Sequence, residues 1–380
     1  MILGIRNGIK PVGAVSLPPS KSEAIRAAIL CGICGSDPAR AIADYAGMPV
    51  CDDVKYAIAA AKDIDRHEAY VGSSAALLRM ILPYKLLAGG AEITADDVLL
   101  ERGIREIEEC FGVEGKREGN LLSLHIPPEK KNMSRFVIDC SRSSQFLSGL
   151  LIALPLIGRE CDIVIKNGLV SKPYADMTLD LVRLFGGLLE ETETGYRTYP
   201  SRYSVPNKLP VTGDRSYAAV FEAMNLLGGS VAINGADENT RQPDKDFINL
   251  AGKAECDIKD HPDLLPLLAA AACGKKGDTV IRGTRRLKTK ESDRESGTVR
   301  LIRDLGGSAE ASCGAVTVHG TGRLSGGECS SLGDHRLAFA AAVMAMISEN
   351  PVTLHGAECV SKSAPQFRDD LERIGYGLDR

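Results

Sequence analysis

The sequence predicts an α/β protein of two homologous halves, each built from three helix-centred units. Three observations predict it. First, apolar Ala- and Leu-rich helices with polar openings recur six times. The openings are Ser20-Lys21-Ser22, Ser73-Ser74, Ser143-Ser144-Gln145, Asp214-Arg215-Ser216, Pro262-Asp263 and Asp334-His335-Arg336. Second, short β-branched runs follow most of these helices. Third, the last three openings track the first three: Ser22 to Ser216 spans 194 positions, Ser74 to Leu264 190, and Ser144 to Arg336 192.

Each element has its own signal. The six helices are apolar on nearly every face, so they must be buried all round. The following strands read AEITA from Ala91, CDIVIKN from Cys161, SVAING from Ser230, DTVIRG from Asp278 and PVTLHG from Pro351. The first copy is irregular, with SDPARAIAD in place of a clean strand. A second class of helix (IREIEECFG, LVRLFGG, FEAMNLLGG, VRLIRDLGG and LERIGYG) ends in an apolar residue and Gly, the signal of a left-handed C-cap. FEAMNLLGG overlaps the fourth apolar helix, so the copies are not six clean repeats. Helices alternating with strands mean α/β. The polar, two-proline stretch Ser201–Gly213 suits a boundary between halves.

Composition bounds the function. A chain of 380 residues is long for one core and comfortable for two domains. With no Trp and 5% aromatics, small apolar side chains must fill the core. A net charge of −4 gives no global field for nucleic acid or an anionic membrane, so an acidic ligand needs a local basic cluster. The opening residues lack the apolar run of a signal peptide, and no clean 18-residue apolar span occurs, so a soluble cytoplasmic protein is expected. Eleven cysteines, an odd number, read as reduced thiols serving as small hydrophobes. Cys31 and Cys34 form a C-x-x-C inside an apolar helix, with no second pair to complete a zinc site; no metal is expected.

The helix openings carry the functional signal. A helix N-terminus presents unpaired N–H groups and partial positive charge, and Ser or Asp there usually means a cap. Cations there oppose the dipole and are best tolerated where an anion binds. Lys21, Arg26, Arg79, Arg142 and Arg336 lie at or near such openings. Several of these ends converging would bind phosphates or carboxylates. The run RRLKTKESDR, Arg285 to Arg294, adds basic residues among two acids, and Lys362 follows in SKSAPQFRDD.

These segments resemble the EPSP synthase family of enolpyruvyl transferases. SLPPSKSEAIRAAIL resembles its opening, and SSQFLSGLLIALPL its Ser-Ser-Gln helix. LVSKPYADMTLDLVRLFG, HPDLLPLLAAAA, KESDR, GDHRLAFA and CVSKSAPQFRDDLERIG resemble further family signatures, in order along nearly the whole chain. The resemblance implies a two-lobed, inside-out α/β barrel fold, each lobe of three βαβαββ-type units around buried helices. It implies one lobe from residues 1–19 plus 213–380, an inserted lobe from 20–212, and an active site in the interdomain cleft.

It also implies an activity. The enolpyruvyl group of phosphoenolpyruvate passes to the 5-hydroxyl of shikimate 3-phosphate by addition–elimination, without a cofactor. The family's catalytic positions fall on Lys21, Asp263, Glu291 and His335, with Asp263 as base for the hydroxyl, Glu291 for proton traffic at C3, and Lys21 helping phosphate leave. Shikimate 3-phosphate positions fall on Lys21, Ser22, Arg26, Ser143, Ser144, Gln145, Ser171, Tyr174, Asp263 and Lys290. Phosphoenolpyruvate positions fall on Lys21, Arg79, Gln145, Arg294, Arg336 and Lys362. Read from the residues alone, Asp263 is an N-cap after Pro262, and Glu291 a salt-bridge partner of Arg294 or Lys288. The family default is a monomer with these small molecules as its only partners.

Departures from the pattern are concentrated in the phosphoenolpyruvate pocket. GSSAALLR, from Gly72, puts Ser73, Ala75 and Ala76 where the family has Asn, Gly and Thr. Val98 stands in place of an Arg, with Arg102 nearby, and Arg286 in place of an Asn. The expectation is weaker phosphoenolpyruvate binding or compensation by Arg102, and poor inhibition by glyphosate, which Ala75 would crowd. Two other readings remain. One is a non-catalytic or impaired anion-binding homologue. The other is a transferase acting on UDP-N-acetylglucosamine, a family with Lys-Asn near the start and a reactive loop cysteine. Here Lys21-Ser22 stands at the start, and Cys110 ends a helical run.

Overall fold

The computed structural model describes residues 1–130 and 132–379. The chain forms two compact units: Pro19–Met48 with Asp52–Val211, and Met1–Pro18 with Pro49–Cys51 and Thr212–Arg380. No helix among the described residues is long and apolar enough to cross a membrane.

The unit of Pro19–Met48 and Asp52–Val211 opens on the helix Lys21–Ile33. Ser20 caps it, its Oγ accepting from the Glu23 N–H at 3.4 Å, so one orphan donor is satisfied. At the irregular SDPARAIAD stretch, Asp37 caps and Pro38 starts a 3₁₀ turn, Pro38–Tyr45. No strand forms in this first repeat. The helix Asp52–Lys62 then packs on the Lys21 helix. A Cβ on Gly32 would lie 2.2 Å from the Ala61 carbonyl oxygen, so the two backbones touch there.

Two complete modules follow. The first runs strand Glu68–Gly72, helix Ala75–Leu87, strand Ala91–Ala95, short helices Asp97–Glu101 and Arg105–Phe111, then strands Lys116–Glu118 and Leu121–Leu124. The second runs strand Arg135–Asp139, helix Gln145–Ala153, strand Cys161–Lys166, helix Lys172–Leu184, then strands Leu188–Thr192 and Gly195–Tyr199. In each, two strands joined by the apolar helix are parallel, and a hairpin adds antiparallel to the second of them. A parallel pair needs a crossover, whereas antiparallel neighbours need only a turn. That is how one strand–helix pattern yields a mixed sheet. The Arg105 helix ends on Gly112, at φ +61°, the left-handed C-cap that its sequence predicts.

The other unit repeats the scheme. One module runs strand Glu255–Asp257, helix Leu265–Cys273, strand Lys276–Arg282, helix Arg294–Asp304, and strands Ser308–Ser312 and Ala315–Thr321. The next runs strand Gly327–Ser330, helix His335–Ala345, strand Val352–His355 and helix Phe367–Arg373. Its sheet is completed by Ile2–Ile5 and Leu378–Asp379, from opposite ends of the described chain. The helix Arg215–Leu226 leads to Ser230–Asn234, which pairs in parallel with Val12–Ser16 alone. Every residue of the Leu265 and His335 helices is buried, as apolar faces all round require. The expected start at Pro262-Asp263 is displaced: the helix begins at Leu265, with Leu264 at the cap position.

Close helix packing recurs within the unit of Pro19–Met48 and Asp52–Val211. A Cβ on Gly149, in the Gln145 helix, would meet the carbonyl oxygens of Arg79 and Met80 at 2.8 Å. Gly149→Ala should therefore overpack this contact. A cost of about 1–3 kcal/mol is expected, read as a lowered Tm in thermal unfolding. An unchanged Tm would mean that the two helices are not held at this distance.

Candidate functional site

In the unit containing Met1–Pro18 and Thr212–Arg380, the buried guanidinium of Arg294 binds three carboxylates. Nη1 donates to Asp263 Oδ1 at 2.7 Å, Nη2 to Glu291 Oε2 at 2.7 Å, and Nε to Asp334 Oδ2 at 2.8 Å. Arg336 Nη2 donates to the other oxygen of Asp263 at 3.0 Å. Asp334 has a second task. Its Oδ1 accepts from the Arg336 N–H at 2.9 Å and caps the His335 helix. Asp263 is thus not the N-cap that its position after Pro262 suggested; it faces two arginines. Glu291 does make the salt bridge to Arg294.

The charges shape one another. Burial pushes the Asp263 carboxyl up, but the guanidiniums of Arg336 and Arg294 outweigh it and hold it well below the usual carboxylate range. Burial pulls Arg294 down, and Asp334, Glu291 and Asp263 more than reverse it. Burial lowers Lys290 to about 7, against the opposing pull of Asp263. Asp244, buried and near Asp263, is pushed up to about 6 by burial first and by the Asp263 charge second. His335 is 1% exposed, and its ring meets Phe339 edge-on at 5.8 Å. Lys362 ends the 3₁₀ turn Ala357–Lys362 and is half-buried. Arg286 donates to the Lys259 carbonyl.

In the unit containing Asp52–Val211, Arg26 plays the organising part. It is 1% exposed. Its Nε donates to Thr178 Oγ1 at 2.7 Å, Nη1 to the Ser22 carbonyl at 2.6 Å, and Nη2 to the Tyr174 carbonyl at 3.1 Å and to Ser148 Oγ at 3.4 Å. Burial lowers its pKa to about 10. Arg26 therefore ties the Lys21, Gln145 and Lys172 helices together. Ser144 Oγ donates to the Ser171 carbonyl at 3.2 Å, and Ser143 Oγ accepts from the Gln145 N–H at 3.2 Å. Arg79 donates to Gln145 Oε1 at 2.8 Å and lies over the Phe146 ring at 5.7 Å. Ser171 sits at φ +55°, a left-handed conformation uncommon outside glycine and held by its neighbours. Lys21 Nζ lies 3.1 Å from Asp53 Oδ2.

Side chains that the sequence reading passed over complete both clusters. Asp334 appeared only as part of a helix opening, and Asp53 was given no role. Ser148 and Thr178 sit mid-helix with no local signal at all. At the departures, Ala75 is the buried first residue of its helix and Val98 is exposed. Arg102 ends the Asp97 helix with its Nε buried and lacking a hydrogen-bond partner. Arg142, grouped with the basic helix openings, pairs loosely with Glu106 at 3.8 Å. Among the described residues, no cluster of three His, Cys, Asp or Glu could hold a metal ion.

The family model described as EPSP synthase (3-phosphoshikimate 1-carboxyvinyltransferase) matches residues 102–261 and 249–371. The 3-phosphoshikimate 1-carboxyvinyltransferase of Clostridium acetobutylicum is 28% identical over 411 residues, covering 96% of this chain and 95% of that protein. The protein of that name from Methanocorpusculum labreanum is 33% identical over 257 residues, covering 62% of this chain and 61% of its own. In fold, the chain is similar to an EPSP synthase structure from Acinetobacter baumannii, with TM-score 0.77, 19% identity and coverage of 100% and 99%.

Removing one partner of a buried ion pair leaves a charge that cannot reach water. Asp334→Ala removes both a partner of Arg294 and the helix cap. A loss of about 3–5 kcal/mol is expected, measured by denaturant unfolding. A loss below about 1 kcal/mol would mean that Arg294 does not depend on Asp334.

Proposed function

The chain belongs to the EPSP synthase family, and from that premise we propose that it transfers the enolpyruvyl group of phosphoenolpyruvate to the 5-hydroxyl of shikimate 3-phosphate. The observation that carries the reading is the pair of carboxylates, Asp263 and Glu291, fixed on one buried guanidinium. Addition–elimination needs a base at the hydroxyl, proton exchange at C3 of the donor, and cations for the anionic groups of both substrates.

Asp263 is the base of this scheme. In its resting pairing it is a weak one, because Arg336 and Arg294 depress its proton affinity. A substrate anion that draws Arg336 toward itself removes part of that depression and makes Asp263 more basic when it is needed. Glu291, steadied by Arg294, serves C3. Lys21, Arg79, Gln145, Arg336 and Lys362 meet phosphoenolpyruvate, and Arg294 acts mainly by holding the carboxylates. Ser22, Ser143, Ser144, Gln145, Ser171, Tyr174 and Lys290 meet shikimate 3-phosphate, with Arg26 fixing the Ser22 and Tyr174 backbones. His335 assists by shaping the start of its helix. Both units then serve a single reaction, within a cytoplasmic monomer. Neither an inert homologue nor a sugar-nucleotide transferase is favoured by these residues.

Phosphate release tests the reading. Release from phosphoenolpyruvate is expected with shikimate 3-phosphate and not with UDP-N-acetylglucosamine. Release with the sugar nucleotide alone, or with neither acceptor, would sink it.

Lys290 gives a pH signature. Its folded pKa of about 7 leaves it largely neutral at pH 8. An arriving phosphate favours the ammonium, so binding should take up a proton at pH 8 and none at pH 5, where the lysine is already charged. Calorimetry of shikimate 3-phosphate binding in buffers of different ionisation enthalpy reads this uptake. Equal uptake at both pH values would exclude Lys290 as the source.

The departures also have consequences. Val98→Arg should lower the KM for phosphoenolpyruvate about tenfold, one added charge-assisted contact's worth, and glyphosate should inhibit the unaltered protein poorly. An unchanged KM, or a glyphosate inhibition constant well below it, would show that Val98 and Ala75 do not weaken the pocket.

A further inference from the structure

We propose that Asp53 is a positioning residue for Lys21, acting on the reaction only through the lysine's ammonium group; this rests on the reading that Lys21 meets phosphoenolpyruvate. The two aspartates at the start of the Asp52 helix behave differently. Asp52 stays at the surface and pairs with Lys55, three residues on, at 3.1 Å. Asp53 turns inward, its side chain 3% exposed, and its Oδ2 lies 3.1 Å from Lys21 Nζ. Its Oδ1 is buried and has no hydrogen-bond partner. An acid in a helix's first turn needs no burial to favour the dipole. Burying a carboxylate with one unsatisfied oxygen is unfavourable for folding. The feature therefore calls for a role beyond helix stability.

The backbone beneath the pair is fixed. Lys21 and Asp53 meet at the starts of their helices. Near the other ends, Gly32 leaves no room for a Cβ against the Ala61 carbonyl. The two helices thus run side by side in the same direction, with their starts held in register. A lysine stem has four rotatable carbons and aims poorly by itself. A buried carboxylate on the neighbouring helix limits where Nζ can point.

A four-member cycle tests the proposal: the unaltered chain, Asp53→Asn, Lys21→Met, and the two combined. For each, kcat and KM for phosphoenolpyruvate are measured, with thermal unfolding to establish the folded fraction. Asp53→Asn is expected to lower kcat/KM about tenfold in the presence of Lys21 and less than about twofold in its absence, since the two residues act as one unit. Asp53→Glu, which keeps the charge one methylene away, should recover part of the loss, and it runs the same cycle if Asp53→Asn does not fold. An equal loss in both backgrounds, or no loss in either, would overturn the proposal. Full activity in Lys21→Met would instead remove the role assigned to Lys21 itself, a different failure.

Discussion

The buried guanidinium of Arg294 is the constraint on which the candidate chemistry rests. It opens its helix at the last position of the run KTKESDR, and from there it fixes carboxylates contributed by three separate segments. Two of them, Asp263 and Glu291, carry the proposed proton transfers. The third, Asp334, caps the helix that presents Arg336. One side chain thus couples helix stability, carboxylate placement and proton affinity. The arrangement stands only because the charges nearly balance. Isolated, any of these ions would be strongly disfavoured at this depth.

The other unit uses a buried arginine in a different way. Arg26 bonds to carbonyls and hydroxyls rather than carboxylates. Tyr174 and Glu23 offset its desolvation only in part, so its pKa falls, whereas that of Arg294 rises. The contrast follows from the partners alone. Arg26 fixes backbone around Ser22 and Tyr174, a scaffolding task that leaves neighbouring hydroxyls to face a polyol. Arg294 fixes ionised groups, whose chemistry depends on charge. Family resemblance marks both as ligand positions; their surroundings give both a positioning task.

Much of the fold was legible in the sequence. The apolar helices, their Ser and Asp caps and the glycine stops are local signals, and the helices lie where periodicity and capping put them. The offset near 192 residues exposed the repeat. Even the irregular first copy followed its sequence, because Asp37 and Pro38 favour a tight turn. The start of the Leu265 helix was misread for a physical reason: Asp263 gains more from two guanidiniums than from capping, so it leaves the cap position to Leu264. The candidate site was legible only as types of residue. That Asp53 faces Lys21, or that Thr178 and Ser148 meet Arg26, depends on helices brought together from distant stretches of chain. No spacing encodes such contacts. The family resemblance supplied roles for many residues, but not the partners that tune them.

In the proposed reaction, carboxylates held by Arg294 pass protons during addition and elimination. Running the reaction in deuterium oxide tests it most directly, with deuterium at C3 of the enolpyruvyl product measured by mass spectrometry. Deuterium at C3 is expected with the unaltered chain, and deuterated product that forms far more slowly with Glu291→Gln that still binds shikimate 3-phosphate. Phosphate release with no deuterium at C3 would contradict it, because the donor carbon would then never have gained and lost a proton.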